Sequence, residues 1–336
     1  MTTVPHPELR LGPAGGNDGT DRLFRFAAWA NLFLLGMFVF QIWAVIIMGA
    51  EGPSAALAGA GGPVAWIMLL LYPAAVLAAL VYVLRTPVVG LREDADRISA
   101  FNIWLVRGAF WAVLLVGVAD ATISFLRIEG LLLAWFGEAV NTELGRSLFR
   151  GPWIHLPLVG LGFVIALFTR TLGFHWLALL IVAAELLIVI SRFVFFYEQS
   201  FMGDLVRFWY AALFLFASAY TLLDEGHVRV DVFYAALARR TKGKVNAFGA
   251  VVFGMVLCWL ILVLGAGSSA SVLMGPMLGF ETTQTTTGMY VKYLMAGFLI
   301  VFAVSMLIQF CAQLLDSVAD ARGQPGHRDS APASAH

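Results

Sequence analysis

The sequence predicts an all-α, polytopic membrane protein with about eight transmembrane helices and two interfacial amphipathic helices. Of its 336 residues, 60% are hydrophobic and only 12% are charged, whereas about a quarter of the residues in a soluble domain are charged. The mean hydropathy is +0.86, and apolar runs of about 20 residues, enough to cross a bilayer as a helix, recur along the chain. The 21 basic and 21 acidic residues cancel, so no net charge favours nucleic acid as a partner.

The apolar runs predict eight spans. The first is too long for the core of a signal peptide and no convincing cleavage site follows it, so we interpret it as a retained membrane helix. The fourth and fifth are joined only by "RTLGF", which predicts a tight helical hairpin. The predicted spans are 25–49, 63–84, 102–126, 152–170, 173–197, 205–223, 246–273 and 290–315.

Basic residues predict the orientation of the chain, because Lys and Arg are retained on the cytoplasmic side of a membrane. With a cytoplasmic amino terminus, the basic segments 85–101 and 224–245 are cytoplasmic, and the turns 50–62 and 274–289, which contain no Lys or Arg, lie on the opposite side. The polar tails 1–21 and 321–336 are predicted to be disordered. Both termini are therefore expected in the cytoplasm.

A segment between the third and fourth spans predicts the first interfacial helix. Its apolar residues fall on one helical stripe, and its polar residues lie away from that stripe. The pattern favours a helix that lies on the outer membrane surface rather than one that crosses it. The segment is 129–149, and the stripe consists of Leu132, Phe136, Val140, Leu144 and Leu148.

The charged stretch "LLDEGHVRVDVFY" predicts the second interfacial helix. Its alternating residues resemble a strand, but a lone strand at a membrane surface leaves backbone groups unpaired. Val230, Phe233 and Leu237 also recur at helical spacing, and the basic run "RRTKGK" that follows suits lipid headgroups. We therefore expect a short cytoplasmic helix that begins near Asp231, with His227 as a structural residue rather than a proton carrier.

The same stretch carries a family resemblance. "YTLLDEGHVRVDVFYAALARR" resembles the signature region of the small membrane subunit of tripartite ATP-independent periplasmic (TRAP) transporters, the DctQ-type family. Shorter elements, "VISRFVF" and "GDLVRFW", and charged residues around the last outer loop resemble further parts of that family. The positions that match the family's motifs are Arg192, Asp204, Gly226, His227, Val228, Val230, Asp231, Glu281 and Lys292.

The resemblance covers about residues 172–320 and implies a four-helix membrane domain with a cytoplasmic interfacial helix. Such a subunit carries no known chemistry. It braces a large membrane subunit, which moves an organic acid with sodium, and a periplasmic binding protein delivers that acid. The resemblance therefore implies an inner-membrane protein that docks the large subunit and lipids through His227, Arg229, Asp231 and Phe233. Residues 22–171, with four spans and the outer surface helix, form an extension to this architecture.

Two acidic residues lie within predicted spans, Asp120 and Glu185. A charge at the centre of a membrane helix costs about 2.5–3.5 kcal/mol on insertion scales. The helical rise places Asp120 and Arg192 at similar depth, so we expect them to form a structural pair. Glu185 has no equally good partner in this chain, which leaves a polar group on another subunit or a protonated carboxyl.

The remaining residue types predict no catalytic group, no metal site and no cofactor. His155 and His175 lie near opposite ends of neighbouring spans, which disfavours a membrane haem and favours ordinary hydrogen bonds at helix ends. Cys258 and Cys311 lie in apolar runs and are expected to be buried free thiols. The competing classes are a membrane-embedded electron-transfer or enzyme subunit, which needs paired histidines or clustered catalytic groups, and a purely structural membrane protein.

Overall fold

A computed structural model of the chain describes residues 18–171, 173–197, 200–224, 234, 236–282 and 288–326. These residues form helices and turns, and they contain no strand. Three π-helical segments, Ile42–Ile47, Gly151–His155 and Ala250–Met255, continue or connect α-helices. The α-helices are α1 (Gly19–Gln41), α2 (Pro53–Leu57), α3 (Pro63–Arg85), α4 (Leu91–Ile128), α5 (Leu131–Leu144), α6 (Ser147–Arg150), α7 (Leu156–Phe168), α8 (Phe174–Val194), α9 (Ser200–Leu223), α10 (Arg239–Gly249), α11 (Val256–Ala266), α12 (Met274–Leu278) and α13 (Lys292–Ala321).

The described residues include eight helical segments that are long and apolar enough to cross a membrane. Each coincides with one of the predicted spans, so the prediction of an all-α polytopic protein with about eight spans is confirmed. The segments are Gly19–Ile47, Pro63–Arg85, Leu91–Ile128, Ser147–Phe168, Phe174–Val194, Phe201–Leu223, Arg239–Ala266 and Lys292–Ala321.

The largest difference from the predicted spans lies at the polar ends of α4 and α13. α4 begins within the polar sequence "LREDADRIS", well before residue 102, and α13 continues past residue 315. Hydropathy places a boundary where charged residues begin, but here the charges pair across the two helices. The Arg92 guanidinium lies 3.1 Å from Asp316 and 2.6 Å from Asp320. These ion pairs let both helices extend beyond their apolar runs.

Local signals account for two other helix boundaries. The Asp18 carboxylate accepts hydrogen bonds from the backbone N–H groups of Thr20 at 3.0 Å and Asp21 at 3.1 Å, which caps the start of α1. Gly173 stands immediately before α8 with φ +84°, a left-handed conformation that glycine adopts without steric cost. That conformation reverses the chain within the short segment between α7 and α8.

The first predicted interfacial helix corresponds to α5, which is followed by the short helix α6. Within α5, Gly137 has φ +81° and interrupts the helical geometry. Leu132 on the predicted stripe is buried, whereas Phe136 on the same stripe is 58% exposed. The position of α5 on an outer membrane surface stays a prediction.

The second predicted interfacial helix falls mostly on residues 225–233 and 235, which lie outside the described residues. Of its described neighbours, Tyr234 and residues 236–238 form turns, a bend and an extended position rather than a helix. The basic run that follows opens α10, which continues through Ala250–Met255 into α11. The charges of that run therefore belong to the first turns of a membrane-spanning segment.

The chain divides into two compact units. Among the described residues, the first unit comprises those within Ile103–Tyr220 and Ser269–Ser305, and the second comprises those within 18–102, Thr221–Ser268 and 306–326. Each unit contains residues from both the predicted extension, 22–171, and the segment with the family resemblance, 172–320. The boundary near residue 171 stays a prediction about where the resemblance begins.

In the first unit, aromatic side chains and a close backbone approach hold the helices together. The rings of Phe208 and Phe216 in α9 lie 5.1 and 5.0 Å from the ring of Phe298 in α13, measured between centroids. In α7, Gly162 is buried so closely against α4 that an added Cβ would stand 2.5 Å from the backbone nitrogen of Ala112. Small residues allow this kind of approach between membrane helices.

In the second unit, polar and aromatic contacts connect α1 with α3 and α11. The rings of Trp29 in α1 and Tyr82 in α3 lie 4.4 Å apart between centroids. The indole N–H of Trp259 in α11 donates a hydrogen bond of 2.8 Å to Oδ1, the side-chain amide oxygen of Asn31. The amide of Asn31 in turn lies 3.3 Å from the Met255 sulfur. Asn31 thereby satisfies both ends of its side chain inside an apolar helix.

We expect Gly162→Ala to destabilise the protein, because the new methyl group overlaps the α4 backbone. Overpacking of this kind costs about 1–3 kcal/mol. Gly160→Ala is the matched control, since Gly160 lies two residues away on the same helix and an added Cβ there meets nothing within 4 Å. A thiol-reactive dye measures the thermal midpoint in detergent, because Cys258 and Cys311 are both buried. Equal midpoints for the two variants would contradict the close α4–α7 packing.

Candidate functional site

The first unit contains a group of buried polar side chains that we call the Asp120 cluster, comprising Asp120, Arg150, His155, Tyr290 and Tyr293. Asp120 lies in α4, Arg150 is the last residue of α6, and His155 ends the π-helical segment that leads into α7. Tyr290 precedes α13 and Tyr293 lies in its first turn. Asp120, Arg150 and His155 each have a relative exposure of 0%. The cluster is therefore sealed within its unit.

Three donors satisfy the Asp120 carboxylate. Its Oδ1 atom lies 2.7 Å from Arg150 Nη1 and 3.1 Å from His155 Nε2. Its Oδ2 atom accepts a hydrogen bond of 2.7 Å from the backbone N–H of Tyr290. A buried carboxylate is tolerated when it is both paired and hydrogen-bonded. Asp120 meets both conditions.

The Arg150 guanidinium is stabilised on several sides. Besides the bond to Asp120, Nη1 donates to Ser124 Oγ at 3.3 Å, and Nε donates to the Leu144 carbonyl oxygen. The guanidinium carbon lies 4.3 Å from the ring centroid of Tyr290, a distance at which a cation is attracted to an aromatic face. Nη2 has no hydrogen-bond partner among the described residues, so the Tyr290 ring supplies part of its stabilisation.

His155 connects Asp120 to α13. Its Nδ1 atom lies 2.8 Å from the Tyr293 hydroxyl, and its Nε2 atom faces Asp120. A neutral imidazole satisfies both contacts if the hydroxyl donates to Nδ1 and Nε2–H donates to the carboxylate. The expectation that His155 makes ordinary hydrogen bonds at a helix end is confirmed. The successive contacts from Asp120 to His155 to Tyr293 fix the start of α13 against the Asp120 cluster. None of these three side chains is exposed.

The prediction that Asp120 pairs with Arg192 is wrong, because the cation at Asp120 is Arg150. Arg192 lies exposed in the last turn of α8. The helical rise gave the depth of both residues but not the direction of their side chains around their helices. The predicted fourth span began at residue 152 and left Arg150 outside it, whereas the helical segment Ser147–Phe168 includes Arg150.

Several family-motif positions organise the segment that leads into α13. The Asp204 carboxylate in α9 accepts a hydrogen bond of 3.1 Å from the backbone N–H of Met289. The Glu281 carboxylate lies 3.1 Å from the Lys292 ammonium, and the Glu281 carbonyl accepts from the Tyr293 N–H at 3.1 Å. The acidic and basic positions around this loop therefore meet. Their contacts hold the chain on either side of residues 283–287, which lie outside the described residues.

The positions of the family signature lie outside the described residues. Gly226, His227, Arg229, Asp231 and Phe233 all fall within 225–233. Their predicted role in an interfacial helix and in docking stays a prediction.

Glu185 is exposed near the middle of α8. It makes no hydrogen bond or ion pair with the described residues. Asp120 and Glu185, the two acidic residues singled out within predicted spans, therefore occupy opposite environments, since Asp120 is fully buried and paired.

The second unit has its own cluster of charges, of which Arg92 is buried and the others are partly buried. The Arg92 guanidinium contacts Asp316 and Asp320, and Arg239 in α10 lies 3.0 Å from Asp320. Arg92 Nε also donates to the Pro325 carbonyl oxygen at 2.7 Å. We call Arg92, Arg239, Asp316 and Asp320 the Arg92 cluster. It connects the start of α4 with α10 and the end of α13.

Three further ion pairs of the second unit involve α1 or its N-cap residue. Arg25 lies 2.6 Å from Asp94, and both side chains are fully buried. Arg322 contacts Asp18 and lies 2.9 Å from Asp21. The hydrogen bond from Arg322 lowers the pKa of the exposed Asp18 carboxyl. The start of α1 is thus held to the end of the chain's last helix by charge.

The chemistry available to these clusters is positioning. Their charged groups are satisfied by one another, and the described residues contain no group of three or more His, Cys, Asp or Glu side chains suited to a metal ion. In each unit separately, ion pairs or hydrogen bonds connect residues before 172 with residues after it. The helices of the predicted extension are therefore packed with those of the segment that resembles the family.

We expect Asp120→Asn and Arg150→Met each to destabilise the protein by about 3 kcal/mol or more, because each leaves the other group unpaired in a buried site. The double variant should lose less than the sum of the two single losses, since it leaves no unpaired charge. Thermal midpoints measured with the thiol-reactive dye give the comparison.

Arg192→Gln is the control, because it removes an exposed cation that Asp120 does not contact. Its midpoint should fall less than that of Arg150→Met, because Arg192 is exposed and Arg150 is fully buried. Strictly additive losses at Asp120 and Arg150, or a loss in Arg192→Gln as large as that in Arg150→Met, would contradict the Asp120–Arg150 pair as the stabilising one.

Residues 178–320 match a known family, described as "Tripartite ATP-independent periplasmic transporters, DctQ component". Comparison with curated proteins and with solved structures gives no match. The matched range contains the family-motif positions Arg192, Asp204, Glu281 and Lys292, and it runs from α8 almost to the end of α13. The resemblance inferred from the sequence is thereby confirmed. Over residues 178–320, this chain is similar to the DctQ component family of TRAP transporters.

Proposed function

We propose that this chain is the non-catalytic small permease subunit of a TRAP-type secondary transporter. The family match over residues 178–320 carries the proposal. A DctQ component works in a tripartite system, so the partners are a large membrane subunit and a periplasmic substrate-binding protein. The large subunit moves the substrate, and this chain gives it a fixed support within the membrane.

The internal architecture supports a bracing role. A brace has to keep its shape while its partner moves, and buried ion pairs with additional hydrogen bonds define a specific arrangement of helices. The Asp120–Arg150 pair is fully buried in the first unit, and the Arg25–Asp94 pair is fully buried in the second. The partly buried Arg92 cluster adds further ion pairs to the second unit. The additional spans in residues 22–171 widen the surface available to the large subunit and to lipid.

The cargo and the energy source follow from the same assignment. We propose sodium-coupled uptake of an organic acid, delivered by the binding protein from the periplasmic side of the inner membrane. Both termini are cytoplasmic in this arrangement. His227, Arg229, Asp231 and Phe233 form the cytoplasmic docking segment, with Phe233 facing the partner or the apolar layer and the basic residues at the lipid headgroups.

The orientation gives a direct prediction. Because the two native cysteines are buried, single cysteines introduced elsewhere in the chain report accessibility. In intact cells, a membrane-impermeant thiol reagent should label Ser54→Cys, in the turn predicted to be periplasmic, but not Ser330→Cys in the terminal tail. After the inner membrane is permeabilised, both should react. Labelling of Ser330→Cys in intact cells would reverse the assigned orientation.

The transport role is tested by reconstitution. We expect sodium-driven uptake in vesicles that contain the large subunit, this chain and the binding protein, and a loss of at least tenfold when this chain is omitted. Phe233→Asp should reduce both co-purification with the large subunit and uptake, because it places a charge on the predicted docking face. Lys244→Gln is the control, since Lys244 is exposed in α10 and its replacement removes one contact with lipid headgroups.

Two outcomes would contradict the proposal. Full uptake without this chain would show that the large subunit needs no such support. A purified chain with a visible absorption band from a bound cofactor would favour the alternative, a membrane-embedded electron-transfer or enzyme subunit. Normal assembly and uptake in Phe233→Asp would overturn only the docking role of residues 227–233.

A further inference from the structure

The surface of α8 carries a carboxylate where a lipid-facing helix needs apolar side chains. Most of α8 is exposed, and its packed residues form one narrow stripe that includes Leu177 and Ala184, both buried. Glu185 lies beside that stripe, on the exposed arc of the helix. On the same face are Val182 and Val189, which are 65% and 49% exposed. An acidic group thus stands in the centre of an apolar, uncovered face.

Glu185 cannot reach water by extending its side chain. By helical rise it lies about 16.5 Å from the start of α8 and about 13.5 Å from its end, several times the length of its side chain. Long Lys and Arg side chains near helix ends can reach the interface, but a glutamate at mid-helix cannot. The carboxylate therefore needs a partner at its own depth.

The described part of the chain does not supply that partner. The residues one turn away on the same face, Ile181, Val182, Ile188 and Val189, have no hydrogen-bond donor in their side chains. Arg192, the basic residue on this face, is two turns or about 10.5 Å further along the helix. No described side chain approaches Glu185 within hydrogen-bonding distance, in contrast with the three donors at Asp120.

We propose that the Glu185 face of α8, defined by Val182, Glu185 and Val189, docks a helix of the large transport subunit that bears a Lys or Arg side chain at mid-membrane depth. An ionised carboxylate only accepts hydrogen bonds, so its partner must donate. A cation both donates and neutralises the charge, which a neutral donor does not. A second copy of this chain would place one carboxylate against another, and like charges repel. This inference rests on the proposed function, because that function supplies the large subunit.

Co-purification tests whether the Glu185 carboxylate is needed for binding. This chain and the large TRAP subunit of the same genome are expressed together in cells, and the amount of large subunit recovered with this chain is measured. We expect Glu185→Leu and Glu185→Gln each to reduce the recovered large subunit about tenfold, the change that follows from losing one charged hydrogen bond. The matched control exchanges two residues of the same helix, Glu185→Leu with Leu187→Glu. It keeps the composition of α8 but moves the carboxylate about 160° around the helix, to another exposed position, so it should not restore recovery.

Photo-cross-linking tests the face. A photoreactive amino acid at Val182 or Val189 should cross-link to the large subunit, and one at Leu187, which is exposed on the nearly opposite side of α8, should not. The thermal midpoint of the isolated Glu185→Leu protein should equal or exceed that of the unaltered chain, because no internal contact is lost. This measurement separates loss of docking from loss of folding.

The outcomes distinguish the possible errors. If the unaltered chain does not bind the large subunit, the proposed function fails and this inference fails with it. If the unaltered chain binds and Glu185→Leu binds equally well, the docking face is wrong and the proposed function stands. Full recovery of the large subunit with Glu185→Gln would show that the partner of Glu185 is not a cation. Cross-links only to lipid, or only to a second copy of this chain, would show that this face does not bind the large subunit.

Discussion

The structure depends on one constraint, which is that a charged group surrounded by hydrocarbon must find an oppositely charged or hydrogen-bonding partner. The Asp120 cluster meets that constraint inside the first unit. Asp120 receives three donors, and each comes from a different part of the chain, so satisfying a single carboxylate positions the start of α7, the end of α6 and the approach to α13 together. The apolar surfaces of membrane helices pack in many similar ways. A buried ion pair selects one of them.

The same constraint explains the unequal lengths of the spanning helices. α4 and α13 are longer than a bilayer requires because their polar ends pair with each other through Arg92, Asp316 and Asp320. A polar turn continues as a helix when its charges are satisfied. In these two helices the backbone bonds and the side-chain pairs therefore reinforce each other, and the ion pairs set the helix ends.

The sequence predicted the features that depend on composition along the chain, and it missed those that depend on direction around a helix. Eight spans follow from apolar runs of sufficient length. The family resemblance singled out Glu281 and Lys292, and the structure shows that they form an ion pair. The partner of Asp120 did not follow, because residue spacing gives depth whereas pairing also needs the rotation of each helix and the packing of its neighbours. Arg150 in particular lies before a π-helical segment, and the wider turn of such a segment changes the facing of the residues on either side of it.

The free-energy cost of placing a carboxylate in hydrocarbon is met differently at Asp120 and at Glu185. Asp120 is satisfied within the chain, so its charge adds to the stability and definition of the first unit and is not available to a partner. Glu185 has no hydrogen-bond donor in the described part of the chain. The desolvation cost of its carboxylate therefore remains uncompensated until a second protein supplies a donor. An apolar face alone binds lipid and many helices almost equally well, whereas an apolar face with one uncompensated carboxylate discriminates strongly in favour of a helix with a cation at the same depth. In a subunit whose proposed task is to hold a partner in a fixed place, such a charge sets the identity of that partner as well as the position at which it docks.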